Sequence, residues 1–245
     1  MSNVVQHSHS SLKSKKKNSG ALVVIISLIA IVAILFGLNS YLSNKNKKDT
    51  SLISKVVDAG YTFGGQDAKF KLVEYADFQC PACAVFSPIL HEVVNNINSK
   101  YGSSTLSLTF KYFPLVSIHS NALLSTYSVE SAKNQGKFWE MHDILFARQD
   151  DWGEALDAKS KIDGYAKEIG LDMNKFLLDR DSQEVKDVAT NALREATKLG
   201  LNHTPTIFLN GEELENISLS VEAVQKIIEE KINNSLQTSS STLNN

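Results

Sequence analysis

The chain has 245 residues, a formal net charge of −2 and a hydrophobic fraction of 42%. This length allows one folded domain with accessory segments, and the near-neutral charge argues against a nucleic-acid-binding surface. The two cysteines of the chain, Cys80 and Cys83, lie within one short window. Because a disulfide scaffold needs several spaced cysteines and a zinc ribbon needs a second Cys or His pair, the composition excludes both classes.

An apolar segment near the N-terminus predicts a membrane anchor. Residues 1–19 are polar and contain a lysine cluster, which indicates a disordered cytoplasmic tail. Residues 20–38 carry no charge, and their length is close to the roughly 20 residues that a membrane-spanning helix needs. The run is longer than the apolar part of a signal peptide, typically about 7–15 residues, and no A-x-A-like cleavage site follows it. We therefore expect an uncleaved transmembrane anchor, with a cleaved signal peptide as the alternative.

A folded domain is predicted at residues 60–236, after a polar linker at 39–59. It begins with a strand at Lys69–Tyr75, a helix at 80–100 and a second, alternating strand at Leu106–Phe113. The expected core face of the helix is a row of apolar residues spaced four apart: Val85, Ile89, Val93 and Ile97.

The second half of the domain is predicted to be mainly helical. Residues from about 119 to 199 have helical patterns, with breaks expected near three glycines: Gly136, Gly164 and Gly170. A strand at 206–209 follows, and an Asn-Gly turn leads to a returning strand at 212–219. An amphipathic helix closes the domain, and residues 237–245 are expected to be disordered.

This order of elements predicts an α/β, thioredoxin-like fold with a helical insertion at about 118–200. The first strand–helix–strand unit should pair its strands in parallel, because a crossover helix connects them.

The segment Cys80-Pro81-Ala82-Cys83 has the spacing of a reversible disulfide at the start of a helix. Unpaired backbone N–H groups and the helix dipole favour a thiolate at Cys80, and the thiolate is the nucleophilic form. Pro81 suits the first helical position, where a missing N–H costs nothing. Cys83 lies one turn further, so we expect it to be more buried and to act as the resolving thiol.

Two other positions are candidates for the same site. Thr204-Pro205 directly precedes the predicted strand at 206–209. In a thioredoxin-like fold such a proline is cis, and the backbone before it can pair with an extended substrate, so Thr204 and His203 would influence substrate binding. Glu74 lies on the strand that leads into the turn at residues 77–80, which we call the redox turn because it ends at Cys80. If it is buried, its raised pKa allows it to accept the Cys83 proton; the alternative is an exposed strand glutamate.

The remaining polar candidates carry weaker signals. Asp77 lies in the loop before Cys80 and is not assigned a chemical role. His91, His119 and His142 are interpreted as capping or surface residues rather than metal ligands. No cofactor and no metal site is predicted.

Four separated motifs resemble the DsbA-like, thioredoxin-fold oxidoreductases, in particular their membrane-anchored bacterial members. They are KLVEYADFQCPAC at 71–83, FKYFPL at 110–115, NQGKFWEMHDILF at 134–146 and HTPTIFLNG at 203–211. The resemblance covers about residues 60–235 and implies a thioredoxin core with a helical insertion. It also implies disulfide exchange with exported proteins and a membrane redox partner that resets the cysteine pair.

The resemblance matches individual residues to roles. Cys80 corresponds to the nucleophile, Cys83 to the resolving cysteine, Pro205 to the cis-proline and Glu74 to the buried acid. The dipeptide between the cysteines departs from the best-known oxidant of the family, because it is Pro-Ala rather than Pro-His. The missing histidine argues against a strongly oxidising potential.

The sequence therefore predicts a monomeric, single-pass membrane protein that donates disulfides to exported proteins. Lysines flank the apolar run on both sides, so charge does not set its orientation. Because disulfides persist in oxidising compartments, the redox motif places the catalytic domain outside the cytoplasm. The alternatives are a reductase or isomerase of the same fold, or a membrane-tethered peptide-binding holdase whose cysteines are structural.

Overall fold

The computed structural model describes residues 31–34, 37, 60–215 and 217–242. The chain divides into two compact units, Met1–Lys48 and Asp49–Asn245. The predicted cytoplasmic tail and linker lie outside the described residues, and the few described residues of the predicted anchor are helical. None of the helices formed by the described residues has the length and hydropathy that a membrane crossing requires.

Among the described residues, five strands form one sheet in the order β1-β3-β2-β4-β5. They are β1 (Tyr61–Gly64), β2 (Phe70–Ala76), β3 (Leu106–Tyr112), β4 (Thr206–Leu209) and β5 (Glu212–Glu213). β2 and β3 pair in parallel, with Glu74 opposite Phe110, which confirms the predicted strand–helix–strand unit. The other neighbouring strands are antiparallel.

Two strands differ from the sequence prediction. β1 is not predicted, because its four residues are too few to show an alternating pattern; it forms by pairing with β3. β5 ends well before the predicted limit at 219. Beyond it, the Leu214 N–H still donates to the Ile207 carbonyl at 2.8 Å, and the side chains of Leu214 and Ile217 pack against the core. The predicted Asn210-Gly211 turn is confirmed, with both residues at positive φ.

The first helix, α1, spans Pro81–Tyr101, close to its predicted bounds, but its buried face differs from the predicted row. Val85 is 52% exposed, whereas Phe86, Leu90 and Val94 are buried. A row spaced strictly four apart drifts around a helix of 3.6 residues per turn, so the core face alternates steps of three and four. Of the predicted row, Val93 and Ile97 are fully buried.

The predicted insertion between β3 and β4 consists of six helices in this described part of the chain. They are α2 (Ala122–Lys133), α3 (Phe138–Ala147), α4 (Gln149–Trp152), α5 (Ala158–Glu168), α6 (Met173–Asp181) and α7 (Gln183–Lys198). The breaks at Gly136 and Gly170 are confirmed, and both glycines have positive φ. The break predicted at Gly164 is wrong, because this glycine lies inside α5. A different break occurs at Ser182, whose hydroxyl caps α7 by accepting from the Val185 N–H.

The last helix, α8 (Val221–Thr242), runs past position 236, where the sequence predicts the domain to end and a disordered tail at 237–245 to begin. Val224, Ile228 and Ile232 anchor it in the core. Extending an existing helix costs less free energy than nucleating a new one, so the helical hydrogen bonds continue beyond the turns that are anchored in the core.

The two cysteines lie where the sheet and α1 meet the helices inserted between β3 and β4. One cluster of buried side chains contains Cys80 and Cys83 together with Phe110 of β3 and, from the insertion, Leu145 and Trp152. The position of Cys80 therefore depends on both parts of the domain.

Candidate active site

Cys80 lies in the turn that connects β2 to α1. It is the N-cap residue of α1, with an extended backbone (φ −75°, ψ 119°), and Pro81 occupies the first turn as predicted. The Cys80 N–H donates to the Asp77 carbonyl at 3.0 Å, and the Cys80 carbonyl accepts from the Cys83 N–H at 3.1 Å. Both cysteines are free thiols, so the structure represents the reduced form.

The loop before β4 lies against Cys80. The Thr204–Pro205 bond is cis, as predicted. The Cys80 thiol donates to the Thr204 carbonyl oxygen at 3.4 Å. The hydroxyl of Thr204 is buried and has no hydrogen-bond partner among the described residues. The side chain of His203 is 58% exposed beside this loop, where an approaching substrate can reach it.

The surroundings of Cys80 favour its thiolate. The pKa of Cys80 is lowered to about 5, chiefly because the Cys83 thiol donates to it. Burial opposes this shift, whereas the backbone N–H groups of Ala82 and Cys83 add to it, as does the Thr204 hydroxyl, which is free to donate once Cys80 is a thiolate. The thiolate at the helix N-terminus predicted from the sequence is therefore consistent with the geometry.

Cys83 has the opposite character. It is fully buried, whereas Cys80 is 8% exposed. Burial is the largest cause that raises the pKa of the Cys83 thiol well above its usual value, and its hydrogen bond to Cys80 adds to the effect. Cys83 therefore holds its proton while Cys80 is ionised, which suits a resolving thiol.

Glu74 is a buried acid without a partner. It is 0% exposed, and neither carboxyl oxygen has a hydrogen-bond partner among the described residues. Burial, with a smaller contribution from the charge of Cys80, raises the pKa of Glu74 to about 8. An ionisable group with such a pKa can take up or release a proton near neutral pH. The alternative of an exposed strand glutamate is wrong, because β2 is buried on both faces.

Asp77 makes more structural contacts than the sequence indicates. Its buried carboxylate accepts from the backbone N–H groups of Gln79 and Leu115, each at 2.8 Å, and lies 2.7 Å from Nδ1 of His119. These contacts tie the redox turn to the segment after β3. His119 is therefore a partner of this loop and not a simple surface residue.

The interpretation of His142 as a capping or surface residue is wrong. His142 is 1% exposed, its Nδ1 lies 2.7 Å from the Asp143 carboxylate, and its ring stacks on His91 at 5.4 Å between centroids. Burial lowers the pKa of His142 and brings the pKa of His91 to about 4, so both rings are neutral. With Asp143 they offer ligand atoms within 4.8 Å of one another. The two rings are nearly parallel, so one ring must rotate before a metal ion can lie in both planes.

Two glutamines that the sequence does not single out join the redox turn to the insertion: Gln149 lies in α4, and Gln79 lies in the turn itself. Gln149 donates to the carbonyl oxygens of Phe78 and Cys80, and Gln79 contacts Glu154. A glutamine inside a helical pattern, far from the motif in sequence, gives no signal that could reveal such a contact.

A family model described as thioredoxin matches residues 57–230. The curated Na(+)/H(+) antiporter NhaA 1 of Mycolicibacterium vanbaalenii is 33% identical over 198 residues, which make up 77% of this chain and 30% of the antiporter. The chain thus spans less than a third of the length of that relative. The ion transport in the name of that relative is a property of the whole antiporter.

Two solved structures have a similar fold. The structure of alpha-DsbA1 from Wolbachia pipientis has a TM-score of 0.61 at 18% identity, and the match covers 72% of this chain and 92% of that one. The structure of oxidised BdbD from Bacillus subtilis has a TM-score of 0.58 at 19% identity, covering 70% of this chain and 92% of that one. At these identities the similarity concerns the fold, and it confirms the predicted thioredoxin-like core with a helical insertion.

Proposed function

Because the chain belongs to the thioredoxin family and has the fold of the DsbA-like proteins, we propose that it exchanges thiols and disulfides through Cys80 and Cys83. The observation that carries this proposal is the contrast between the two thiols. Cys80 has a pKa of about 5 at the helix N-terminus, whereas Cys83 is buried with a pKa well above its usual value. A structural or metal-binding pair needs no such difference.

In the proposed direction the protein acts as an oxidant. A substrate thiolate attacks Sγ of Cys80 in the Cys80–Cys83 disulfide, and this bond breaks with its electron pair on Cys83. Cys83 takes a proton, for which Glu74 is the proposed donor because it is buried, unpaired and has a pKa of about 8. A second substrate thiolate then attacks the substrate sulfur and releases Cys80 as a thiolate. Two electrons pass from the substrate dithiol to the cysteine pair.

The stabilised Cys80 thiolate supports this direction, because it favours the reduced form over the disulfide. Each unit by which the thiolate pKa falls corresponds to about 30 mV for a two-electron couple. The Pro-Ala dipeptide lacks a histidine donor, so we expect a potential between about −270 mV, as in thioredoxin, and about −120 mV, as in DsbA. Equilibration with glutathione measures it, and a value at or below that of thioredoxin would favour the reductase alternative.

We further propose that the domain is anchored in the cell membrane and acts outside the cytoplasm on exported proteins, with a membrane partner that re-oxidises the pair. The uncharged segment at 20–38 supports the anchor, and the redox chemistry supports the compartment. Protease added to intact spheroplasts should digest the domain at 60–236. Protection of the domain until the membrane is permeabilised would contradict this orientation.

The experiment that tests the activity is oxidative refolding of a reduced, unfolded protein that needs disulfides. The full chain, oxidised beforehand, should restore the activity of this protein in stoichiometric amounts, and Cys80→Ser should abolish the effect. A holdase with structural cysteines would suppress aggregation equally well with and without Cys80. Retention of that effect, combined with no disulfide transfer by the wild-type protein, would refute the proposed function.

A further inference from the structure

Gln149 is a buried polar residue that touches the backbone of the nucleophile. It is the first residue of α4, and its side-chain nitrogen donates to the Phe78 carbonyl at 2.7 Å and to the Cys80 carbonyl at 2.9 Å. A side-chain amide has two N–H donors, so both are used on the redox turn. Only 8% of Gln149 is exposed, and water does not readily replace these contacts.

The Cys80 carbonyl is the point at which α1 begins. It also accepts from the backbone N–H groups of Cys83 at 3.1 Å and Ala84 at 3.2 Å. Pro81 has no N–H, so the donors of the first turn that can face the Cys80 sulfur are those of Ala82 and Cys83. The orientation of the Cys80–Pro81 peptide group determines where these donors point. Gln149 holds that peptide group through the hydrogen bond to the Cys80 carbonyl oxygen.

The element that presents Gln149 is itself firmly placed. Trp152 of α4 is fully buried, and its indole N–H donates to the Leu145 carbonyl at 2.8 Å. The Gly153 N–H donates to the Gln149 carbonyl at 2.7 Å, and a Cβ at Gly153 would lie 2.9 Å from that oxygen. The backbone of Gln149 is therefore held in position independently of the redox turn. Its side-chain amide thus reaches the turn from a fixed point, which is what positioning requires.

We propose that Gln149 is a positioning residue for the redox pair, which holds the Cys80 carbonyl from the insertion and so sets how strongly the helix N-terminus stabilises the Cys80 thiolate. This inference rests on the proposed role of Cys80 as nucleophile. It assigns the helical insertion a part in setting redox strength, in addition to any part in binding substrates.

The test compares Gln149→Met with a matched control, Gln135→Met, in the full chain. Gln135 also bonds backbone groups within the insertion, donating to the Asp172 carbonyl and accepting from the Asp172 N–H, but it does not contact the redox turn. Thiolate absorbance is followed during pH titration of the reduced proteins, and the equilibrium with glutathione is measured. We expect Gln149→Met to raise the pKa of Cys80 by about one unit and to lower the equilibrium constant for substrate oxidation about tenfold. Gln135→Met should leave both unchanged.

Gln149→Glu provides a second variant of nearly the same size in case the methionine variant does not fold. Its carboxylate cannot donate and adds a negative charge near the thiolate, so the pKa of Cys80 should rise further. The inference is overturned if Cys80 has the wild-type pKa in any folded Gln149 variant, or if Gln135→Met shifts this pKa equally. If instead the wild-type chain transfers no disulfide in oxidative refolding while Gln149→Met still shifts the pKa of Cys80, the proposed function fails and the positioning role stands.

Discussion

The Cys80 thiol donates a hydrogen bond to the backbone carbonyl of Thr204, a residue 124 positions away in the sequence. This contact joins the start of α1 to the cis-proline loop. The buried Thr204 hydroxyl has no partner among the described residues, so it is available to donate once Cys80 is a thiolate. The loop therefore provides an acceptor for the thiol and a donor for the thiolate.

Replacing the Thr204 hydroxyl by a methyl group should weaken the thiolate. We expect Thr204→Val to raise the pKa of Cys80 by less than one unit, because the Cys83 thiol and the backbone N–H groups of Ala82 and Cys83 still lower it. The pH dependence of Cys80 alkylation measures the shift. Thr206→Val is the matched control, since its hydroxyl donates to the His203 carbonyl at 2.7 Å in the same loop. A larger shift in the control would show that the loop as a whole, and not the Thr204 hydroxyl, matters.

The two cysteines should react with iodoacetamide at very different rates. With a pKa of about 5, Cys80 is mostly a thiolate at pH 6, whereas Cys83 is almost entirely protonated and is also fully buried. We expect Cys80 to be alkylated at least about a hundredfold faster, as measured by mass spectrometry of the reduced protein. Similar rates at the two positions would mean that the nucleophile and resolving thiol are wrongly assigned.

The reduced protein should be more stable to guanidinium than the oxidised protein at neutral pH. The pKa of Cys80 is lowered on folding, to about 5, so its thiolate contributes stability that is fully present above the pKa of the unfolded thiol. This contribution is lost as the pH falls through about 5. The difference between the two forms should therefore shrink as the pH falls towards 5. A disulfide form that is clearly more stable at pH 7 would argue for a reductase.

The sequence predicts the parallel β2–β3 pair, the helix after the redox turn and the insertion, because each has a local pattern. It also predicts Cys80, Cys83, Glu74 and Thr204-Pro205 as neighbours, since a strand, a helix and a proline before a strand have fixed places in this fold. Their assigned roles remain predictions. β1 is not predicted, because a short strand is stabilised by pairing with its partner strand and not by its own pattern of apolar residues.

The polar residues whose surroundings the sequence does not predict share one physical cause. Asp77 is bonded by Leu115 and His119, and His142 packs against His91 and Phe110, and one chain segment does not reveal such distant partners. Gln149 is an extreme case, because its two hydrogen bonds reach backbone carbonyls about 70 residues away, and a backbone acceptor carries no side-chain signature.

Glu74→Gln tests the buried acid through stability. The pKa of Glu74 is raised on folding, mainly by burial, to about 8. The stability that goes with a neutral Glu74 is fully present below pH 4.5 and is lost as the pH rises to about 8. The loss is at most about 1.4 kcal/mol per pH unit. Glutamine stays neutral, so the variant should be more stable than the wild type at pH 8 and similar at pH 4. The oxidised forms are compared, because they contain no Cys80 thiolate.

The same variant should also slow disulfide exchange, and this separates a proton-transfer role from a structural one. Glutamine fills the same space but cannot donate a proton to Cys83, which leaves as a thiolate when the substrate attacks Cys80, so the mixed disulfide should form about 10²-fold more slowly. Its resolution by the second substrate thiolate should be nearly unchanged, because this step releases Cys80 and the contacts of Cys80 with Cys83 and Thr204 remain. Stopped-flow measurement of both steps with a model dithiol distinguishes them. Equal slowing of attack and resolution would show that Glu74 shapes the site without handling the proton.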